Sequence, residues 1–380
     1  MELDHEQDVH VADDEEAQDV SALLTKEELD DLDDPFSAPA QVSYSGQDFD
    51  IYGLVRRLEK GDIVVPQFGM QDEDIETAGF QRGFVWNRSQ MDRFIESLLL
   101  GFPIPGVFLV RQGDGRMLVL DGQQRLRTLQ YFYGGIFKDR AYSLQYVADE
   151  FVGLTYKSLP DAQRRLIDDS FIQATIVTAR PEVNDMRAIY QIFERLNSGG
   201  TQLTAHEIRV ALYAGPVIDF LETLNVSPDW RELYGRKNPR IRDQELIARI
   251  LAFYAEWEEY SRPLKHFINN FLSNNFPAVD ASSRRHGELF LQAAKKLNRT
   301  IGREALRRAS RQVNNAWTDA LFVGLMTRIE SDDIDDSRVV AAYERLRDDP
   351  DYQTWTAGSS ADEDRVHSRM ARAIEVFSEA

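Results

Sequence analysis

Apolar residues are spaced in two different ways along the chain, and the change falls near residue 182. Before it, short apolar runs bounded by turn residues predict strands over 62–66, 106–110, 117–120 and 171–177, the last by alternation of apolar and polar residues. The second and third flank Arg-Gln-Gly-Asp-Gly-Arg (111–116), which reads as the loop of a hairpin. Two helices fit between the strands. The segment 89–100 places Met91, Phe94, Ile95, Leu98 and Leu99 at i, i+3, i+4, i+7 and i+8, with Gly101 as a stop. The segment 123–133 buries Leu126, Leu129 and Tyr133 and ends at Gly134-Gly135.

After residue 182 the period is almost wholly helical. Thr204-Ala-His-Glu207 is a capping box that opens a helix to Tyr213. Asp243 is expected to cap a long helix through Trp257, and further amphipathic helices are predicted near 284–297, 302–313, 315–329, 334–347 and 362–378. No period of repeat-protein length recurs. The fold class is α+β, with a small α/β domain over 41–181 followed by a mostly helical domain over 182–380.

Composition changes the picture at the amino terminus. The formal charge of −20 is concentrated there: residues 1–34 hold 15 Asp or Glu against one Lys, leaving the rest nearly balanced. Segment 1–40 reads as a solvated acidic tail. Within it Thr25-Lys-Glu-Glu28 is a capping box, and a short stripe of Val20, Leu23, Leu24, Leu29 and Leu32 allows a transient helix or a partner-docking one. With 43% hydrophobic residues the remainder can build a sizeable core. The absence of cysteine excludes disulfides and thiolate metal sites, and no apolar run reaches membrane-spanning length, so a cytoplasmic location is expected.

The chemistry concentrates at Asp121-Gly-Gln-Gln-Arg125, where a buried strand gives way to a helix. Glycine lets the backbone approach a ligand, and a helix N-terminus offers unpaired N–H groups to an anion. Arg125 is suited to a phosphate, Asp121 to Mg²⁺ or a ribose hydroxyl, and Gln123 and Gln124 to orienting a water or reading a base. A plainer reading has Asp121 capping the helix and Arg125 pairing with it.

Four ordered motifs carry a resemblance: Phe80-Gln-Arg-Gly-Phe-Val-Trp86, Ile95-Glu-Ser-Leu-Leu-Leu-Gly-Phe-Pro-Ile-Pro105, Asp121-Gly-Gln-Gln-Arg-Leu-Arg-Thr-Leu129 and Phe193-Glu-Arg-Leu-Asn-Ser-Gly-Gly-Thr-Gln-Leu-Thr204. Together they resemble the GmrSD-type restriction system N-terminal domain family, whose fold is ParB/sulfiredoxin-like. The resemblance implies a nucleoside-triphosphate pocket, Mg-dependent hydrolysis in some members, and antiviral defence against foreign or modified DNA. Carried over by position, Asp121, Gly122, Gln123, Gln124 and Arg125 form the pocket, with Asp121 on the metal. Gln81 and Arg82 face it as a second phosphate-contacting pair, and Asn197 or Ser198 touches the ligand; for Arg82 a salt bridge and for 197–200 a helix stop are the plainer alternatives. Trp86 reads as core. One departure stands out: segment 69–79, with four acidic residues and no basic one, separates Val65-Pro66 from the Gln-Arg pair. Beside an anion site such an insert repels phosphate unless a metal intervenes, or it acts as a lid.

Basic residues cluster locally. Arg231, Arg236, Lys237, Arg240 and Arg242 fall in a loop rich in turn residues, and Arg303, Arg307 and Arg311 repeat at helical spacing. They read as a solvated face or as contacts to DNA phosphates. The six scattered histidines give no zinc or nuclease spacing, and no P-loop is present. The expectation is a nucleotide-binding sensor or regulator whose nuclease comes from a partner subunit; the alternatives are a non-catalytic DNA-binding adaptor and a ParB-like metal-dependent nuclease. Homo-oligomerisation is left open.

Overall fold

The structure is a computed structural model that describes residues 42–65, 86–179, 186–196, 204–213, 215–275, 279–308, 312–357 and 361–380. Two compact units divide it, one ending at Leu203 and the other running from Thr204 to Ala380.

The first unit runs in the order β1 (Val42–Asp50), α1 (Ile51–Lys60), β2 (Ile63–Val64), α2 (Arg88–Leu99), β3 (Val107–Arg111), β4 (Met117–Asp121), α3 (Gln123–Gly134), β5 (Ile136–Phe137), β6 (Arg140–Ala141), α4 (Asp161–Asp168), β7 (Phe171–Ala179) and α5 (Met186–Leu196). Five strands form one mixed sheet in the order β1-β7-β3-β4-β2. Within it β3–β4 is the expected antiparallel hairpin, and β7 joins β3 in parallel. Its core joins apolar faces of α1, α2 and α3 (Leu54, Ile95, Leu126) to inward strand residues (Leu109, Val119, Ile176).

Two differences from the sequence reading concern boundaries. Strand β1 is not predicted: Val-Ser-Tyr-Ser-Gly-Gln-Asp-Phe-Asp has little apolar alternation and is exposed over 43–48, so its pairing with β7 makes it a strand. The first unit also extends past 181, because α5 packs against β4 and β7.

The second unit is α6 (Ala205–Leu212), α7 (Pro216–Asn225), α8 (Pro228–Tyr234), α9 (Arg242–Glu256), α10 (Leu264–Asn275), α11 (Ala281–Thr300), α12 (Asn315–Ser331), α13 (Asp336–Asp348), α14 (Pro350–Trp355) and α15 (Glu363–Ser378). Helix α12 lies at its centre, with Trp317, Leu321, Phe322 and Leu325 all buried. The Thr204–Glu207 capping box forms as expected. Asp243 does not cap α9: the helix starts after Ile241, in a left-handed conformation, and Asp243 is buried with Arg231. Burial pushes the Asp243 carboxyl up, with Arg231 opposing. The helix expected over 302–313 does not form in its described residues, 302–308 and 312–313. A 3-10 turn spans Gly302–Leu306, and Arg307 then runs extended to form a bridge with Val313.

Candidate functional site

Strand β4 is buried from Met117 to Leu120, so it delivers Asp121 to a fixed place at the edge of the core. The register of the hairpin slips there: Phe108 faces Asp121 while Leu109 faces Val119, which makes Leu120 the extra residue of a bulge. Bulges bend a strand and re-aim the side chains beyond them. Gly122 completes the turn at φ +96°, and a Cβ on it would sit 2.5 Å from Val107 Cγ1. Both the conformation and the space therefore demand glycine.

No side chain caps α3 at Gly122. Asp121 thus fails one half of the plainer reading and meets the other: its Oδ2 accepts from Arg125 Nη2 at 2.8 Å. Arg125 also donates through Nη1 to the carbonyls of Pro105 and Gly106, the latter at 2.8 Å. With three oxygen partners and only 12% side-chain exposure, its guanidinium clamps the Pro105-Gly106 turn onto the start of α3. That is a shaping role, made of charge-assisted bonds.

The two glutamines separate. Gln124 Oε1 accepts from the Trp86 backbone N–H at 3.1 Å, tying the end of the Phe80–Trp86 motif to the turn. Gln123 is half-buried and makes no side-chain hydrogen bond to a described residue. Trp86 packs edge-on against Phe94 at 5.6 Å, as a core residue does. Gln81, Arg82, Asn197, Ser198 and the acidic segment 69–79 lie outside the described residues.

Two features near the turn escape the sequence. Arg127, one helical turn beyond Gln123, donates weakly to Val65 O at 3.4 Å, and its buried Nε has no partner among the described residues. Asp92, fully buried on α2, accepts from Tyr142 Oη, from the Gln145 and Tyr146 amides and from Arg88, while Arg88 lies over the Tyr142 ring at 3.7 Å. This pins segment 142–146 to α2. An aspartate directly beside Met91 on an apolar helix face is the available signal.

The basic residues proposed for DNA are largely spent inside the helical unit. Arg231 belongs to α8 and pairs with Asp243 at 2.8 Å, and Lys237 pairs with Glu222 at 3.2 Å. Arg240 is 1% exposed and pairs with Glu207 at 2.9 Å. Arg307 is buried against the carbonyls of Leu233 and Tyr234. Arg236 and Arg303 stay exposed, and Arg311 lies outside the described residues. A phosphate-tracking stripe through 303 and 307 does not form, because the helix that would display it is broken.

His206 is fully buried beside this cluster, its Nε2 3.1 Å from Gln244 Oε1. Burial, with help from the charge of Arg209, pushes its pKa down to about 3. Among the described residues no group of three His, Asp or Glu is placed to hold a metal ion, and no helix is long and apolar enough to cross a membrane.

No curated protein and no solved structure matches the chain. A family match covers the segment that holds the turn, the Asp92 anchor and α6, and its description agrees with the resemblance drawn from the four motifs. Residues 66–214 match the family described as GmrSD restriction endonuclease, N-terminal domain.

Proposed function

We propose that this chain is the nucleotide-responsive component of a DNA-directed restriction or defence system, with a nucleoside triphosphate held at the Asp121–Arg125 turn. The observation that supports it best is the uncapped start of α3 behind an obligatory glycine. A helix N-terminus left without a capping side chain keeps backbone N–H groups available to an anion. Arg125 and Gln124 build the turn, and Gln123 is the side chain left to contact a phosphate or orient a water. The residues fit a magnesium nucleotide: the Asp121 side chain is 48% exposed, and Mg²⁺ takes one or two carboxylates together with phosphate oxygens. When bound, the ion would neutralise phosphate charge beside Asp121. Gln81 and Arg82 join the pocket in this reading, and hydrolysis is its enzymatic form. The nuclease belongs to a partner.

A thermal-shift screen of the four common triphosphates, with and without Mg²⁺, tests this. A ligand that binds only the folded chain at a hundredfold its Kd adds about 2.7 kcal/mol. The decisive variant is Gln123→Glu. A carboxylate in the first turn favours the helix dipole while repelling phosphate, so the variant should keep its stability and lose its response. If no triphosphate shifts the wild type, or if Gln123→Glu responds equally, the nucleotide reading falls and a DNA-binding adaptor takes its place.

A further inference from the structure

The helical unit holds a cavity beside the 3-10 turn Gly302–Leu306. Where the chain turns extended at Arg307, this cavity of about 590 Å³ opens among the end of α11, the start of α12, α13 and α14. That volume lies within the range that holds small organic ligands.

Its walls divide by chemistry. Ile301, Val340 and Tyr343 supply an apolar side. The lining also holds Arg308, whose Nη1 donates to Gln353 O at 2.9 Å and Thr356 Oγ1 at 3.2 Å, and whose guanidinium lies 6.0 Å from the Trp317 ring centre. Arg308 forms no ion pair with any described residue, unlike Arg231, Arg240 and Arg249 of the same unit. A half-buried guanidinium without a carboxylate has given up water and gained no counter-charge. Glu304 and Glu344 sit on the exposed rim with Arg347, so the lining carries three arginines against two glutamates.

We propose that this cavity binds a small organic anion, a carboxylate or phosphate monoester on a flat apolar body, with its charge on Arg308 and its body against Ile301 and Val340. The rim glutamates and the apolar wall select against bare inorganic phosphate. This site shares no residue with the Asp121–Arg125 turn and stands whether or not that turn binds a nucleotide.

The test uses the full chain labelled with fluorotryptophan. Trp317 itself lines the cavity, so its fluorine line reports the site, assigned with Trp317→Phe. Phenyl phosphate and phenylacetate are titrated separately, with inorganic phosphate as control. The expected result is a saturable shift of the Trp317 line with at least one aryl anion, and the identity of that anion names the charged group. Arg308→Ala should weaken binding about tenfold or more, the worth of a charged hydrogen bond. Val340→Phe should fill the cavity and abolish binding while the thermal midpoint holds. No shift at about 1 mM of either aryl anion, or equal binding in both variants, overturns the proposal.

Discussion

In the sheet unit the pair Asp121–Arg125 sits at a half-open turn, the aspartate 48% exposed, whereas in the helical unit Arg249, Asp319 and Arg369 meet with side chains no more than 4% exposed. Both are arginine–aspartate contacts of ordinary length, 2.8 Å in the first and 2.7 Å for Arg249 in the second. They differ in what would happen if the carboxylate were lost. At the turn, water reaches Asp121, and Arg125 keeps its two carbonyl partners. In the core, two guanidinium groups would lose their shared counter-charge with no water to replace it. The first arrangement leaves a carboxylate open to solvent, and the second encloses its charge in the core.

The largest effect expected from this contrast is that of Asp319→Asn. Removing one partner of a buried ion cluster costs about 3–5 kcal/mol. Urea unfolding followed by tryptophan fluorescence reports it, since Trp230, Trp257, Trp317 and Trp355 all belong to the helical unit. A loss as small as that of a surface pair would erase the distinction between the units.

Next comes Gly122→Ala, which tests whether the turn is rigid although it is open. A left-handed non-glycine residue costs about 1–2 kcal/mol. The contact with Val107 adds an overpacking penalty of about 1–3 kcal/mol. Hydrogen exchange should speed up in β4 and in the first turn of α3 while the helical unit stays protected. Exchange that rises equally in both units would contradict the division of the chain.

The third test is titration. Outside the acidic tail every histidine lies in the helical unit, and His206 has its pKa pushed from 6.5 down to about 3, mainly by burial. The folded state holds the ring neutral, so protonation favours unfolding. This contribution is complete above pH 6.5 and is lost as pH falls through the window toward 3, by about 1.4 kcal/mol per pH unit. His206→Gln should flatten the fall in unfolding midpoint between about pH 7 and pH 5, leaving the smaller slope from His286, whose pKa burial also depresses. An unchanged slope would mean that His206 reaches water in the folded state.

Much of the turn is legible in the sequence because its signals are local. A four-residue apolar run, a glycine and an amphipathic segment each report on neighbouring positions, and strand, turn and helix form where expected. The roles of the side chains are decided by partners that are not local. Arg125 has its carbonyl partners 19 and 20 residues away, and Gln124 finds Trp86 38 residues back. The same limit explains the basic residues of the helical unit. Their spacing suggests an exposed row, yet Arg240 pairs with Glu207 across 33 residues and Arg307 reaches Leu233 across 74. Strand β1 escapes because its identity comes from β7. The helix expected over 302–313 fails because periodicity cannot see that Arg307 gains more from three carbonyls than from a helical turn.

The smallest stability change is expected for Asp121→Asn, and it carries the most functional information. The pair is half-exposed and spaced i, i+4, a class worth at most about 1 kcal/mol. Asparagine still offers a carbonyl oxygen to Arg125, and the bonds from Arg125 to Pro105 and Gly106 do not involve residue 121. The turn should keep its shape, so any change in nucleotide response comes from the missing charge. If Asp121 holds Mg²⁺ beside a triphosphate, the variant should lose the part of the thermal shift that depends on the metal and retain or strengthen the part that does not, since a negative charge next to the phosphates has gone. A variant that keeps the full metal-dependent shift would remove Asp121 from the metal site and leave it as the partner of Arg125 alone. A large loss of stability would show that the turn is as dependent on its ion pair as the core is on Asp319, and the two units would no longer differ in how they hold charge.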